Sequence, residues 1–281
     1  MKLYVIPFVF LTMVFLSFGA NDVSAQILKN IQKSVEKKIE KEADKVINGS
    51  PTDKNKSVGE ESSAGILGDL PEKIYDFKPG SALIFEDDFS SESIGGMAKK
   101  WKSSGGGSVV EVPGVPGRWL QFHNKNNYKI AEIEELPENF TITFDVLTRL
   151  EKASIKDDFY FGFHRSNQLN DTWYSAVSGV KLNYWGNYSN IKFVSEVGKK
   201  DNFEFPLGNY ARRTMRVEIE VTNGSWMKVY IDKYKVLDTE MMYPESAKYF
   251  FINAPGRNME RNDRVYIGNV KIASIDVGID D

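Results

Sequence analysis

The chain has no cysteine. That excludes disulfide bonds, thiol nucleophiles, cysteine-ligated zinc and a lipid-modified cysteine near its start. Histidine is almost as scarce. With only His123 and His164, a zinc hydrolase or a Ser-His-Asp triad has few groups to draw on. No excess of positive charge is present either. Net charge is −3, and Lys and Arg are dispersed along the chain. Phosphate backbones need a basic stripe, so nucleic acid is not an expected partner. After Ile74 there is no long run of helical periodicity.

What is present begins with an address. Lys2 is followed by an apolar stretch from Leu3 to Phe18 and by the small-residue site Val23-Ser24-Ala25. This pattern predicts a secretory signal peptide over residues 1–25, hence an exported protein that meets the membrane only transiently. A retained anchor is the competing reading, because the stretch approaches the lower limit of a membrane span, about 17 residues. Over residues 26–47, Ile27, Ile31, Val35, Ile39 and Ala43 recur every fourth position and predict an amphipathic helix. Lys33 with Glu36, Lys37 with Glu40 and Lys41 with Asp44 can pair on its polar face, each for about 0.2–0.5 kcal/mol. Such a helix suits self-association or docking on a partner, or serves only as a solvated spacer. Residues 48–73 have the Ser, Gly, Asp, Glu, Lys and Pro content of a linker.

Residues 74–281 alternate with period two. Phe140, Ile142, Phe144 and Val146 face one way, and Thr141, Thr143 and Asp145 face the other. Met215, Val217, Ile219 and Val221 alternate with Arg216, Glu218 and Glu220 in the same manner. Phe159, Phe161 and Phe163, then Met227, Val229 and Ile231, and finally Val265 and Ile267 repeat it. Strands with one apolar and one polar face predict an all-β protein, a two-sheet antiparallel jelly-roll sandwich. Pro113-Gly114, Pro116-Gly117, Pro255-Gly256 and, most clearly, Asn223-Gly224 supply turns.

Several segments carry a resemblance. They are Phe85-Glu86-Asp87-Asp88-Phe89-Ser90, Trp101, Gly117-Arg118-Trp119-Leu120, the run from Leu136 to Asp145, Val229-Tyr230-Ile231-Asp232 and Tyr266-Ile267-Gly268-Asn269-Val270. Together they resemble a concanavalin-like, laminin-G-like jelly roll. More narrowly, with Tyr75-Asp76-Phe77-Lys78-Pro79-Gly80 ahead of them, they resemble the N-terminal region of OmpA-family envelope proteins of Bacteroidetes-type bacteria. The resemblance implies a cell-envelope or surface module with a glycan or an envelope protein as partner, located in the periplasm, on the outer-membrane surface or outside the cell. In those relatives a peptidoglycan-binding OmpA-like domain follows the sandwich. This sequence stops at Asp281, so direct peptidoglycan binding is not carried over.

Three sets of side chains are candidates for a site. Glu218 and Glu220, two apart on one strand, share a face, and Asp145 can lie on the same face of a neighbour. Carboxylates at such spacing could hydrolyse a glycoside, although the Glu-x-Asp-x-x-Glu pattern of family 16 hydrolases is absent and Arg216 suits a solvated charge ladder. The second set is aromatic: Trp173, Tyr174, Tyr184, Trp185 and Tyr188, with His164, Arg165 and Asn183 as polar companions. Rings stack on the C–H faces of sugars while amides and cations meet hydroxyls, so this set predicts glycan binding; the alternative is that some rings fill core. The third is Asp87, Asp88 and Asn269, with Asp157, Asp158 and Asp263 behind them. Oxygen ligands at the paired ends of a jelly roll would suit a structural calcium ion, or the aspartates merely cap a turn. No other cofactor is expected. Three functions therefore compete: a non-catalytic binding module, a glycoside hydrolase and a structural protein-interaction subunit.

Overall fold

The computed structural model describes residues 75–151, 158–171, 173–184, 190–198, 202–255 and 262–276. The expected signal peptide, helix and linker lie outside the described residues. The rest is all-β. Its strands are Ala82–Asp87 (β1), Trp101–Ser103 (β2), Gly107–Val112 (β3), Val115–Phe122 (β4), Asn127–Ile130 (β5), Phe140–Arg149 (β6), Asp158–His164 (β7), Ser178–Asn183 (β8), Asn190–Ser195 (β9), Asn202–Glu204 (β10), Thr214–Thr222 (β11), Trp226–Ile231 (β12), Tyr234–Glu240 (β13), Tyr249–Asn253 (β14) and Arg264–Ser274 (β15). Two short 3₁₀ turns, Trp173–Ser175 and Leu207–Tyr210, sit between strands.

The strands form two antiparallel sheets. One has eight strands in the order β13-β12-β11-β6-β15-β4-β3, with β1 also pairing β15. The other has seven, in the order β10-β9-β8-β7-β14-β5-β2. The predicted alternation holds where it was read. Phe140, Ile142, Phe144 and Val146 of β6 are buried, and their register partners on β11 are Val221, Ile219, Val217 and Met215. Aromatic rings join the sheets edge to face, with Phe140 at 5.4 Å from Phe163 and Phe144 at 5.2 Å from Phe161. Such pairs add about 0.5–1.5 kcal/mol beyond the area they bury.

The turn at Asn223-Gly224 is as expected. Both residues have positive φ, 53° and 62°, and the Ser225 N–H donates to the Thr222 carbonyl at 3.2 Å. A second turn of the same kind, Asp232-Lys233, has φ of 45° and 68° without any glycine. Its strain is held by the Asp232 carboxylate, which accepts the Arg216 N–H at 2.7 Å and the Tyr210 hydroxyl at 2.9 Å.

The outer face of the eight-stranded sheet differs from the solvated polar face that the alternation predicts. Thr141, Thr143, Glu218 and Glu220 are buried there. Residues 75–80 explain it, because they run across this face as a strap. The Tyr75 and Phe77 rings pack on Tyr230, and the Gly80 N–H donates to Thr141 Oγ1 at 2.9 Å. Glycine is required at position 80, since a Cβ would stand 2.4 Å from the Ser274 carbonyl oxygen. Farther along the same face Val112, Trp119, Leu147 and Tyr266 form a second, smaller apolar cluster.

Candidate functional site

The three carboxylates proposed for hydrolysis do share the outer face of the eight-stranded sheet, but each is bound to a fixed partner. Both oxygens of Glu218 accept the Tyr75 hydroxyl, at 2.9 and 2.8 Å. Glu220 pairs with Lys228 at 2.9 Å. Asp145 accepts Arg216 Nη1 at 3.1 Å and Asn269 Nδ2 at 2.6 Å. Burial raises the pKa of Glu218 and outweighs the hydrogen bond from Tyr75 and the nearby Arg216. A raised carboxyl suits a general acid, yet a general acid must reach a substrate oxygen. Here the strap stands where the sugar would sit. The expectation of a same-face catalytic pair is corrected on this point: the face is shared, and the strap and its ion pairs occupy it.

The oxygen ligands proposed for calcium are not brought together. Asp87 is buried, and its two oxygens accept the Phe89 N–H at 2.9 Å and Trp101 Nε1 at 3.0 Å. Burial raises its pKa against these two bonds. Asp88 is exposed and binds the Ser90 N–H and hydroxyl, at 2.9 and 2.7 Å. Asn269, at φ 50°, lies in the β15 bulge with its amide on Asp145. The turn-capping alternative is the arrangement observed at Asp87 and Asp88. Asp263 Oδ1 accepts the Glu151 N–H at 2.7 Å, Asp157 lies outside the described residues, and Asp158 is placed only by its backbone on β7. Among the described residues no cluster of three acidic or histidine side chains could hold a metal ion.

The aromatic set is divided by strand parity. Tyr184 follows Val180 and Leu182 at two-residue intervals, so it points into the core and is 0% exposed. It cannot meet a ligand, and burial alone raises its pKa. This corrects the expectation for Tyr184. The period that placed other residues, applied to β8, would have found it. Asn183 has the opposite parity and shares the outer face of the seven-stranded sheet with Lys181. At the far end of that sheet, His164 closes β7, Arg165 follows it, and the Trp173–Ser175 turn presents Tyr174 at 96% exposure. Arg165 pairs with Glu196 and donates to Ser246 Oγ at 3.2 Å. Trp185 and Tyr188 lie outside the described residues, and only the backbone of Trp173 is described.

A group absent from the sequence reading anchors this end. Lys129 on β5 faces outward, yet it is 0% exposed because the β7–β8 connection folds over it. Its ammonium donates to the Ser166 carbonyl at 2.7 Å and to Asp171 Oδ2 at 2.9 Å. Ser166 Oγ donates to the same Asp171 oxygen at 2.6 Å, and His164 Nδ1 stands 3.9 Å from it. The His164 ring stacks on Phe251 at 3.9 Å. Burial lowers the Lys129 pKa, opposed by Asp171. Burial works against the Asp171 carboxylate too, but Ser166, Lys129 and His164 together hold its pKa below the ordinary value. Ser166 gives its proton to a carboxylate rather than to an imidazole, so this is a latch for the connection and not a nucleophile.

Beside the latch runs a polar row in register across six strands: Asn202, Lys192, Lys181, Tyr160, Asn253 and Asn127. At about 4.8 Å between strands the row is roughly 24 Å long. Lys181 Nζ lies 4.9 Å from the centroid of the Tyr160 ring. The Asn253 amide donates to Asn127, whose own amide donates to the Leu169 and Asp171 carbonyls at 3.1 and 2.8 Å. The latched connection thus walls the β5 end of the row. The neighbouring rung contains Gly179 opposite Gly162, where a Cβ on Gly162 would lie 2.2 Å from the Ser178 carbonyl oxygen.

No family model matches the chain, and no curated protein matches its sequence. Solved structures that superpose in part include a sialidase, at 18% identity and TM-score 0.46 over 70% of this chain; the match spans 19% of the sialidase's length. The VIP36 exoplasmic/lumenal domain in a Ca²⁺/Man3GlcNAc-bound form superposes with 8% identity and TM-score 0.46, over 63% of this chain and 84% of that one. The Emp47p carbohydrate recognition domain does so with 11% identity and TM-score 0.47, over 68% and 94%.

Proposed function

We propose that this protein is an exported, non-catalytic module of the cell envelope or surface, and that its sandwich takes a glycan along the outer row of the seven-stranded sheet. The carrying observation is the row itself. A half-buried tyrosine ring sits at its middle, with Lys181, Lys192 and Asn202 in register on one side and the carboxamides of Asn253 and Asn127 on the other. An aromatic ring offers a face to sugar C–H groups, and amides pair with hydroxyls in directions that fix orientation. The row's length suits an extended oligosaccharide better than a single ring. Tyr174 and Arg165 at the end of the same sheet extend the ligand surface, and Asn183 lies two residues beyond Lys181 on β8. The signal-peptide pattern in residues 1–25 and the concanavalin-like sequence resemblance support the exported setting.

Binding of the full chain to a broad glycan array, repeated with calcium and with a chelator, tests this reading. Saturable binding that a chelator leaves unchanged is expected. Tyr160→Ala should weaken it at least about tenfold, equal to about 1.4 kcal/mol. A folded protein that binds no glycan, or a Tyr160→Ala variant that binds as tightly as the parent, would refute the reading.

A further inference from the structure

The strap on the outer face of the eight-stranded sheet is bound through side chains. Among the described residues, the main chain of residues 75–79 forms no hydrogen bond with the sheet; the first such bonds come from the Gly80 and Ser81 N–H groups. Tyr75 gives its hydroxyl to Glu218. Asp76 accepts the Tyr230 hydroxyl at 2.7 Å and pairs with Lys235 at 2.9 Å. Phe77 packs edge to face on the Tyr230 ring at 5.6 Å. Lys78 and Pro79, both exposed, then lead to Gly80.

The receiving groups belong to the sheet itself. Glu218, Tyr230 and Lys235 stand in register across β11, β12 and β13. The next rung, Glu220, Lys228 and Asp238, braces them: Lys228 pairs with Glu220 and Lys235 with Asp238, each at 2.9 Å. Burial is one-sided. Tyr230 and Glu218 are buried, whereas Tyr75 and Asp76 are exposed and Phe77 is half-buried. A segment that served only to seal the face would bury its own rings or extend the sheet by backbone pairing, and this one does neither. β13 is the last strand in its sheet order, so the row also opens toward an edge. We propose that this row is a recognition groove for an extended peptide in which a hydroxyl-bearing ring, a carboxylate and a second ring follow one another, with residues 75–77 as its displaceable occupant in cis. The match runs position by position. Glu218 accepts a hydroxyl, the Tyr230 hydroxyl and the Lys235 ammonium bind an anion, and the Tyr230 ring packs against both aromatic groups. A tethered segment competes at an effective concentration of about millimolar, so a partner segment must bind more tightly or be presented at comparable local concentration. The strap thereby gates the groove. The glycan row lies on the other sheet, so this inference stands apart from it.

The test uses the full chain. In one variant Tyr75→Ala, Asp76→Ala and Phe77→Ala together vacate the groove. The probe is a fluorescent peptide, Lys-Ile-Tyr-Asp-Phe-Lys-Pro-Gly, which copies residues 73–80, with a scrambled peptide of the same composition as control. A cooperative unfolding transition by circular dichroism shows that the variant is folded, and Asp76→Ala alone replaces it if the triple variant is not. Fluorescence anisotropy should show saturable binding of the probe to the variant and at least about tenfold weaker binding to the parent. Adding Lys235→Met to the variant should weaken binding at least about fivefold, because the anion loses its cation. A peptide with phenylalanine in place of its tyrosine should weaken it as well, because Glu218 then lacks a donor. In the parent, excess probe should speed amide exchange over residues 75–80, a response that a purely structural strap would not give. A folded variant that binds neither peptide, or both alike, overturns the proposal. Equal binding by parent and variant overturns it too.

Discussion

Glu218 keeps its carboxylate beneath the strap, with the Tyr75 hydroxyl on both oxygens. Burial raises its pKa above the ordinary 4.5. A raised group favours folding most fully below its unfolded pKa, and that contribution is lost as pH rises through the folded value. At neutral pH the buried charge is therefore a burden that Tyr75 only partly offsets. Glu218→Gln keeps an acceptor and removes the charge, so its stability at pH 7 should equal or exceed the parent's by up to about 1 kcal/mol. Tyr75→Phe should cost about 1–2 kcal/mol, because it leaves a buried carboxylate without its donor. Urea denaturation of the two variants checks both signs, and a Glu218→Gln variant clearly less stable than the parent would contradict the account. Lys129 has the opposite character. Losing it strands Asp171 and the Ser166 carbonyl, so Lys129→Met should cost about 3 kcal/mol. Adding Asp171→Asn should return part of that loss, which a double-mutant cycle measures.

Among the elements, the strap couples two titrations of opposite sign. Hydrogen bonds from Lys235 and then Tyr230 lower the pKa of Asp76 from 3.8 to about 2 against the effect of burial, with a further contribution from the Lys228 charge. A depressed carboxyl stabilises above its unfolded pKa, and the contribution disappears as pH falls through the folded value. Glu218, whose pKa burial raises, takes up its proton at higher pH than Asp76, which relieves the burial cost of its charge while Tyr75 remains against it. Between about pH 4 and pH 2 the strap should thus loosen at Asp76 while Tyr75 stays docked. Amide hydrogen exchange over residues 75–80 would show this as protection lost at Asp76 and Phe77 with the Tyr75 end retained. Simultaneous release of the whole strap would contradict it. The strap also marks how far the sequence could be read. Tyr75-Asp76-Phe77-Lys78-Pro79-Gly80 stood out as a segment, and Glu218 and Glu220 were rightly placed on one face. Their meeting was not legible, because nothing local to residues 75–80 states which of four sandwich faces will receive them. The row on the seven-stranded sheet was hidden for a related reason. Its six side chains come from strands spread between Asn127 and Asn253, and only the sheet order brings them together. Tyr184, by contrast, was legible from the period-two spacing of Val180 and Leu182.

For the whole molecule, the alternating apolar positions gave the class and the sandwich, and the connectivity adds a constraint that no single strand contains. β15 occupies residues 264–274, close to the end of the sequence, yet it lies inside the eight-stranded sheet, between β6 on one side and β4 and β1 on the other. Its Val265, Ile267, Val270 and Ile272 are buried in the main core. Removing it would expose the inner edge of β6 and leave β1 without a partner. Four large aliphatic side chains withdrawn from a core correspond to about 6–12 kcal/mol of lost burial, comparable to the entire stability of a domain. A chain ended at Asn262 should therefore show no cooperative unfolding transition by circular dichroism. A chain begun at Tyr75 should keep one, since it retains both the strap and every strand. Closure also depends on the last strand, and the β1–β15 pairing joins residues nearly two hundred positions apart. Such long-range pairing slows folding to the millisecond-to-second range typical of β sandwiches. Refolding of the chain begun at Tyr75 should accordingly show no native-like burial of Trp101 before β15 docks, because Phe85 on β1 and Trp101 pack together at 6.0 Å only once β1 is held. Stopped-flow tryptophan fluorescence, compared between the parent and an Ile272→Ala variant in β15, measures this. The variant is expected to slow recovery of the Trp101 signal, and an unchanged rate would mean that β1 finds its place without β15.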